Sequence, residues 1–152
     1  MPLIKGTNSY VDVSEADAYF STRLGSSAWV EALEPTKESA LVTATQVLNQ
    51  MEWAGLPVSS DQPLAFPRSI ADVYETTPVR ILQATYEMAL HLLNNPDLLD
   101  DTGGVESLSV GPISLYEIRS PKLIPQVVQR LIAPYSLSSG AIKGSRAWWR
   151  AN

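Results

Sequence analysis

Apolar residues recur at helical spacing in four segments of this chain, at positions 14–24, 36–52, 77–94 and 125–133. Such spacing predicts four amphipathic α-helices, and a shorter helical turn is expected at 28–33. Ser14, with Asp17 three residues later, resembles a capping box that begins the first helix. Thr36 is expected to cap the second helix, and Pro78 suits the first position of the third.

The segment at 77–94 is the strongest of the four because it is apolar on two sides. One side has Leu82, Tyr86, Ala89, Leu90 and Leu93. The other side has Ile81, Met88 and Leu92. A helix that is apolar on two sides has to be covered from two directions, so we expect this helix to be the most buried element.

Between residues 105 and 119 the apolar pattern changes from helical spacing to alternation. Leu108 and Val110 lie before a Gly-Pro pair, and Ile113 and Leu115 lie after it. Alternation on both sides of a turn signal predicts a short β-hairpin.

The predicted elements define a mainly α fold, a small bundle of about four helices with a short β-hairpin before the last helix. A proline-rich loop at 53–70 separates the second and third helices. Residues 136–144 are rich in Ser and Gly, which is typical of a flexible linker. We therefore divide the chain into a helical domain at 1–135 and a flexible C-terminal tail at 136–152.

Charge is distributed unevenly between these two parts. The chain has 152 residues and a net charge of −5. All of its 16 acidic residues lie at or before Glu117, whereas the C-terminal tail contains only Lys143, Arg146 and Arg150 as charged side chains. The C-terminal tail is thus basic and the helical domain acidic, which argues against general nucleic-acid binding by the domain.

Several classes of site are absent from the sequence. The chain has no cysteine, which excludes disulfides, thiolate nucleophiles and zinc–thiolate sites. The motifs G-x-S-x-G and H-E-x-x-H do not occur, and GAIKGS lacks the spacing of a phosphate-binding loop. No apolar run approaches the length of a membrane span, and MPLIKGTNSY does not resemble a signal peptide. We therefore expect no enzyme activity, cofactor, metal or membrane contact, and a cytoplasmic location by default.

Three candidate sites have a structural interpretation that we favour. His91 is the only histidine, and no partner residues are patterned around it. Asp97, Asp100 and Asp101 lack the alternating ligands of a calcium loop, so a solvated acidic loop is expected. Trp53 and the segment QPLAFPRS could stack on a peptide or a base, but we expect Trp53 and Phe66 to pin the long loop to the core.

The sequence SRAWWRAN at 145–152 is harder to explain as packing. Trp148 and Trp149 lie beyond the linker, between Arg146 and Arg150. Aromatic and Arg side chains are typical anchors of protein interfaces. Stacking on single-stranded nucleic acid is the rival interpretation, and a tail folded back onto its own domain is a third.

Three stretches together resemble a family of tailed-bacteriophage proteins. They are NSYVDVSEADAYFSTRLGSSAW, ESALVTATQVLNQMEWAG and DQPLAFPRS. The family pattern reads N-S-Y and E-A-D-x-Y-F near the start, then W-x-G, then Q-x-L-x-[WF]-P-R. The resemblance covers residues 8–133. Some members are labelled DnaT-like single-stranded DNA-binding proteins, whereas their gene context indicates head–tail connector, or adaptor, proteins.

The resemblance implies a structural virion protein that forms a ring, commonly of twelve copies, beneath the portal. Such an adaptor links the capsid to the tail, extends the DNA channel, and contacts the portal protein and the tail or neck completion proteins. Its expected location is the virion neck, and the host cytoplasm during assembly. The alternative is a single-stranded DNA-binding module. The acidic helical domain favours the adaptor.

Two groups of residues are candidates for a role in such a ring. We expect the C-terminal tail to dock on the portal through Arg146, Trp148, Trp149 and Arg150. A channel through which DNA passes should not bind phosphates, so acidic side chains are suited to its wall. The candidates for that wall are Asp97, Asp100, Asp101 and Glu106. A solvated outer loop is the other interpretation of this acidic stretch.

Overall fold

The computed structural model describes residues 2–69, 76–100, 107–110, 113–116 and 122–137. These residues form five α-helices and two small antiparallel ladders, which confirms the mainly helical fold class. The helices are α1 Val13–Phe20, α2 Ser27–Glu31, α3 Glu34–Asn49, α4 Val79–Asn94 and α5 Gln126–Ile132. The strands are β1 Leu56–Pro57, β2 Arg68–Ser69, β3 Ser107–Val110 and β4 Ile113–Tyr116.

Helix α4 lies at the centre of the fold and packs against α2, α3 and α5. Both of its predicted apolar sides contribute to the core. Its buried residues are Ile81, Ala84, Thr85, Tyr86, Glu87, Met88, Ala89, Leu90 and Leu92. The hydroxyl of Thr85 can be buried because it donates to the Ile81 carbonyl at 2.9 Å. The expectation of a central helix is therefore confirmed.

Helix α3 presents one apolar stripe to the core, as the spacing predicts. Leu41, Ala44 and Leu48 are fully buried, and Met51 lies partly exposed just beyond the helix end. The predicted cap at Thr36 is wrong, because the helix begins at Glu34 with Leu33 as its N-cap. Proline in the first turn has no N–H to satisfy, so this start needs no side-chain cap.

Helix α1 begins two residues earlier than the predicted cap implies, because Asp12 and not Ser14 is its N-cap. Asp12 accepts a hydrogen bond from the Glu15 backbone N–H at 2.8 Å, and the Glu15 carboxylate accepts from the Asp12 N–H at 3.0 Å. This is a reciprocal capping box, but Ser14 and Asp17 are not its members. The helix ends at Phe20, so Leu24 is 94% exposed and does not join the apolar face.

The hairpin expected at 105–119 is present as β3 paired antiparallel with β4. Its register places Leu108 opposite Leu115 and Val110 opposite Ile113. The proline-rich loop differs from expectation in one respect, since β1 and β2 form a two-residue ladder within it. That ladder closes the loop into a compact unit against the end of α3.

Candidate functional site

Aromatic packing holds the proline-rich loop against the core. Trp53 is 5% exposed and Phe66 is 2% exposed, and their rings meet edge-on with centroids 4.9 Å apart. Tyr135, which follows α5, packs edge-on against Phe66 at 6.1 Å. The expectation that Trp53 and Phe66 pin this loop is confirmed. Neither ring is available to stack on a base or a peptide.

The guanidinium of Arg68 is occupied by backbone carbonyls of the same loop. Its Nε donates to Ala54 at 2.9 Å, and Nη2 donates to Gly55 at 2.6 Å and to Trp53 at 3.3 Å. Nη1 donates to Ala65 at 3.3 Å. These bonds hold together the two ends of the loop, so this cation serves the fold and not a phosphate ligand.

Tyr10 connects the N-terminal motif to the Q-x-L-x-F-P-R motif. Its hydroxyl donates to Asn49 Oδ1 at 2.6 Å and accepts from the Phe66 N–H at 3.3 Å. Asn49 Oδ1 also accepts from the Ala65 N–H at 3.0 Å. The motifs that carry the family resemblance are therefore packing motifs that contact one another.

Buried tyrosines make the fold sensitive to alkali. Burial raises the pKa of Tyr10 to about 12, and burial also raises the pKa of Tyr86 to about 12. Burial, and then the hydrogen bond to Glu87, raises the pKa of Tyr19 to about 12.

We expect the stability that these neutral phenols contribute to be complete below pH 10 and lost as pH rises from about 10 to 12. For Tyr10 alone the loss corresponds to about 2–3 kcal/mol. Near-ultraviolet absorbance of tyrosinate and far-ultraviolet circular dichroism should therefore change together in that interval. Complete tyrosine ionisation in a chain that keeps its helix signal would contradict this prediction.

A buried ion pair joins α4 to the end of α1. Glu87 is 5% exposed, and its carboxylate accepts two hydrogen bonds of 2.7 Å from Nε and Nη2 of Arg23. The Tyr19 hydroxyl donates to the same carboxylate at 2.8 Å. The hydrogen bonds to Glu87 raise the pKa of Arg23. All these partners leave Glu87 satisfied, so the cluster is structural.

A second polar cluster holds α2 against α1 and α3. Trp29 is 1% exposed, and its indole N–H donates to Asp17 Oδ1 at 2.7 Å. Lys37 Nζ donates to the same oxygen at 2.9 Å and lies 5.3 Å from the centre of the Trp29 ring. The hydrogen bond from Lys37, and then that from Trp29, lowers the pKa of Asp17.

His91 has the structural role that the sequence predicts. Its Nε2 lies 2.8 Å from the Lys122 carbonyl, so the ring is a donor there. Its Nδ1 lies 3.4 Å from the Asn95 amide nitrogen. These contacts fix the end of α4 to the segment that precedes α5. Within the described ranges no group of His, Asp and Glu could hold a metal ion.

The described surface has little of what single-stranded DNA needs. Of the aromatic side chains whose burial the structure describes, six are buried, and Tyr19 and Tyr135 are partly buried. Lys5 is paired with Glu15, and Arg23, Lys37 and Arg68 are engaged as above. Arg80, Lys122 and Arg130 are exposed. Exposed aromatic rings interleaved with cations are the usual platform for single strands, and this part of the chain does not supply it.

The same surface has many exposed apolar side chains. They are Ile4, Leu24, Val30, Leu33, Leu56, Val58, Val79, Leu99, Leu123, Val127 and Leu137. Single exposed apolar residues are ordinary, but Leu24, Val30 and Leu33 are close in sequence and each more than two-thirds exposed. These three residues around α2 are candidates for contact with a protein partner.

A cleft of about 460 Å³ lies where α3 and α5 end. We call it the C-terminal cleft. It is lined by Met51, Glu52, Gln129, Ile132, Ala133, Ser136 and Leu137. Sequence reasoning missed this cleft because its two sides come from segments almost eighty residues apart, with no shared motif.

Only some of the predicted site residues lie within the ranges that the structure describes. Asp97 and Asp100 are exposed in a turn after α4, and Leu98 between them is buried and anchors that turn. Asp101 and Glu106 lie outside the described residues. So do the four candidates of the C-terminal tail, Arg146, Trp148, Trp149 and Arg150.

Comparison with known proteins identifies the family. Spanning a bilayer would take a longer apolar stretch than any helix in the described ranges contains. No curated protein and no solved structure matches the chain significantly. A family model matches residues 3–147, which is nearly the whole chain. The chain therefore belongs to the family described as "Putative DnaT-like ssDNA binding protein".

Proposed function

We propose that this protein binds single-stranded DNA without catalysis, and that its C-terminal tail makes the contacts. The observation that carries the proposal is the family match over residues 3–147, because the family is described by its binding to single-stranded DNA. The match supports binding of single-stranded DNA, which the acidic charge of the helical domain argues against. It adds nothing to the adaptor interpretation.

Two observations support assigning the contacts to the C-terminal tail, namely the burial of aromatic rings in the described residues and the composition of the tail. The aromatic rings whose burial is described are buried or partly buried, and four of the seven described cations are engaged within the fold. The tail has Lys143, Arg146 and Arg150 together with Trp148 and Trp149. Indole rings stack on bases, and Arg and Lys neutralise phosphates. The family match ends before the two tryptophans, so the role proposed for them rests on this chemistry alone.

Binding is tested by titrating a fluorescent thymidine oligonucleotide with the full chain and recording anisotropy at several salt concentrations. With three tail cations on phosphates, the logarithm of affinity should fall with the logarithm of salt concentration with a slope of about −2. A duplex of the same length is the control, because its bases are not free to stack. Failure to bind the oligonucleotide at low salt would overturn the proposal.

The exposed apolar surface around α2 favours a second candidate function, the head-to-tail adaptor. In this candidate, copies of the chain form a ring of about twelve subunits beneath a portal protein, in the neck of a tailed-phage virion. Leu24, Val30 and Leu33 would be covered by a neighbouring subunit. The C-terminal tail would dock on the portal through Trp148 and Trp149, and the ring would also contact a tail completion protein.

Electron cryo-microscopy of the virion neck tests the adaptor candidate. It should show the chain as a ring between portal and tail, with the C-terminal tail in a groove of the portal. Asp97 and Asp100, with Asp101 and Glu106, should face the channel so that DNA passes without binding. A neck that lacks this chain would exclude the adaptor. The oligonucleotide titration separates the two candidates, because an adaptor with an acidic channel has no need to bind single strands.

A further inference from the structure

The C-terminal cleft has the size and composition of a binding site. Its volume of about 460 Å³ lies within the usual range for ligand pockets. Ile132, which is 2% exposed, lies in the buried part of the lining, and Met51 contributes a thioether at its side. Glu52 is an exposed carboxylate at the same place. An apolar group that carries a neighbouring positive charge would therefore suit this cleft.

The chain itself leads from this cleft into the segment that follows. The Leu137 N–H donates to the Glu52 carbonyl at 3.0 Å, and the Ala54 N–H donates to the Tyr135 carbonyl at 2.8 Å. Ser136 forms an isolated antiparallel bridge with Trp53. These bonds hold residues 135–137 against the end of α3. Leu137 lines the cleft, and fifteen further residues follow it in the sequence.

The following segment has the complementary chemistry and sufficient length. Trp148 and Trp149 supply flat apolar groups, and aromatic rings contact thioethers favourably. Arg146 and Arg150 can pair with Glu52. Eleven residues beyond Leu137, Trp148 can lie up to roughly 35–40 Å away in an extended chain, so a return to the cleft is within reach. A short tether also gives a high local concentration, so even a weak contact would be populated.

We propose that the C-terminal cleft binds the tryptophan pair of its own chain when no other ligand is present. The tail indoles are then covered in the free protein, and a ligand of the tail must compete with the cleft for them. The docking stands independently of the proposed function, whereas competition by DNA rests on it. A second copy of the chain is the other possible source of the indoles, and the test below distinguishes it.

Cysteine pairs test the docking directly, since the natural chain has no cysteine. Ala133→Cys places a thiol in the cleft, and Ala147→Cys places one beside Trp148. Under mild oxidation this pair should form an intrachain disulfide about tenfold faster than the same pair combined with Trp148→Ala and Trp149→Ala. That comparison keeps the tether constant and removes only the indoles. Equal rates in the two backgrounds would overturn the proposal.

A second control moves the cleft thiol to the opposite end of α3. Ala18 is exposed, and its neighbour Asp17 contacts Lys37 in the first turns of α3. The cleft lies beyond the last turn of α3, at the other end of the helix. Ala18→Cys with Ala147→Cys should therefore oxidise slowly. Predominantly interchain disulfides from the cleft pair would identify a second copy as the occupant and overturn docking within one chain.

Competition by DNA is measured in the same cysteine pair. A saturating thymidine oligonucleotide should slow the intrachain disulfide about tenfold, because stacked indoles are not available to the cleft. Anisotropy of the labelled oligonucleotide is recorded in parallel. Bound oligonucleotide with an unchanged disulfide rate would overturn the competition. Absence of oligonucleotide binding with fast disulfide formation would instead overturn the proposed function alone.

Discussion

A chain truncated after Leu137 is expected to bind single-stranded DNA about 100-fold more weakly than the full chain. Stacking contributes about 1–3 kcal/mol for each base, so the loss of two indoles alone is enough for a change of this size. The truncation also removes Lys143, Arg146 and Arg150, so the salt dependence of any remaining binding should nearly disappear. Oligonucleotide anisotropy measures both effects.

The truncated chain should still fold, because all the buried core residues named above precede residue 138. Far-ultraviolet circular dichroism should show the same helix content, and unfolding should remain cooperative. Because the tail no longer docks in the C-terminal cleft, Tm should decrease, but by no more than about 5 °C. A truncated chain that keeps full affinity would place the binding site in the helical domain. A truncated chain that fails to fold would show that the tail belongs to the core.

Arg23→Ala is expected to lower the free energy of unfolding by about 3–5 kcal/mol. The substitution leaves the Glu87 carboxylate, which is 5% exposed, with the Tyr19 hydroxyl as its remaining side-chain partner. A buried charge without a partner destabilises the fold by far more than an exposed ion pair stabilises it. Urea unfolding followed by circular dichroism measures the change.

Two variants distinguish the effect of the unpaired Glu87 carboxylate from the loss of an ordinary ion pair. Glu87→Gln in the Arg23→Ala background removes the buried charge and keeps an acceptor for Tyr19, so it should recover about half of the lost stability. Lys5→Ala breaks the exposed pair with Glu15 and should cost less than about 1 kcal/mol. If Arg23→Ala costs no more than Lys5→Ala, the buried pair does not have the structural role assigned to it.

The sequence predicts those elements whose residue spacing is periodic over several turns. Helix α4 is found where its two apolar sides place it, and the hairpin β3–β4 is found where the period changes to two. Helix starts are predicted less well, because the start of α1 depends on tertiary packing. Tyr10 and Val11 are buried immediately before it, and this leaves Asp12 as the cap where local pattern favours Ser14.

The sequence does not predict buried polar groups whose hydrogen-bond partners are distant along the chain. Glu87 lies between Tyr86 and Met88 in a helix, and nothing nearby in the sequence indicates that the partly exposed Arg23 pairs with it. The carbonyl partners of Arg68 likewise come from positions that no local pattern connects to it. Sequence chemistry alone singles out the tryptophan pair of the C-terminal tail, which lies outside the described residues, so its role stays a prediction.

Paired substitutions at the two tail tryptophans separate base stacking from phosphate neutralisation in the binding of single-stranded DNA. Trp148→Phe with Trp149→Phe keeps two rings that can stack, whereas Trp148→Ala with Trp149→Ala removes them and leaves every cation in place. Anisotropy of a thymidine oligonucleotide should show affinity within about fivefold of the natural chain for the phenylalanine variant, and a loss of about 30-fold or more for the alanine variant. Equal affinities of the alanine variant and the natural chain would contradict binding of single-stranded DNA by the C-terminal tail.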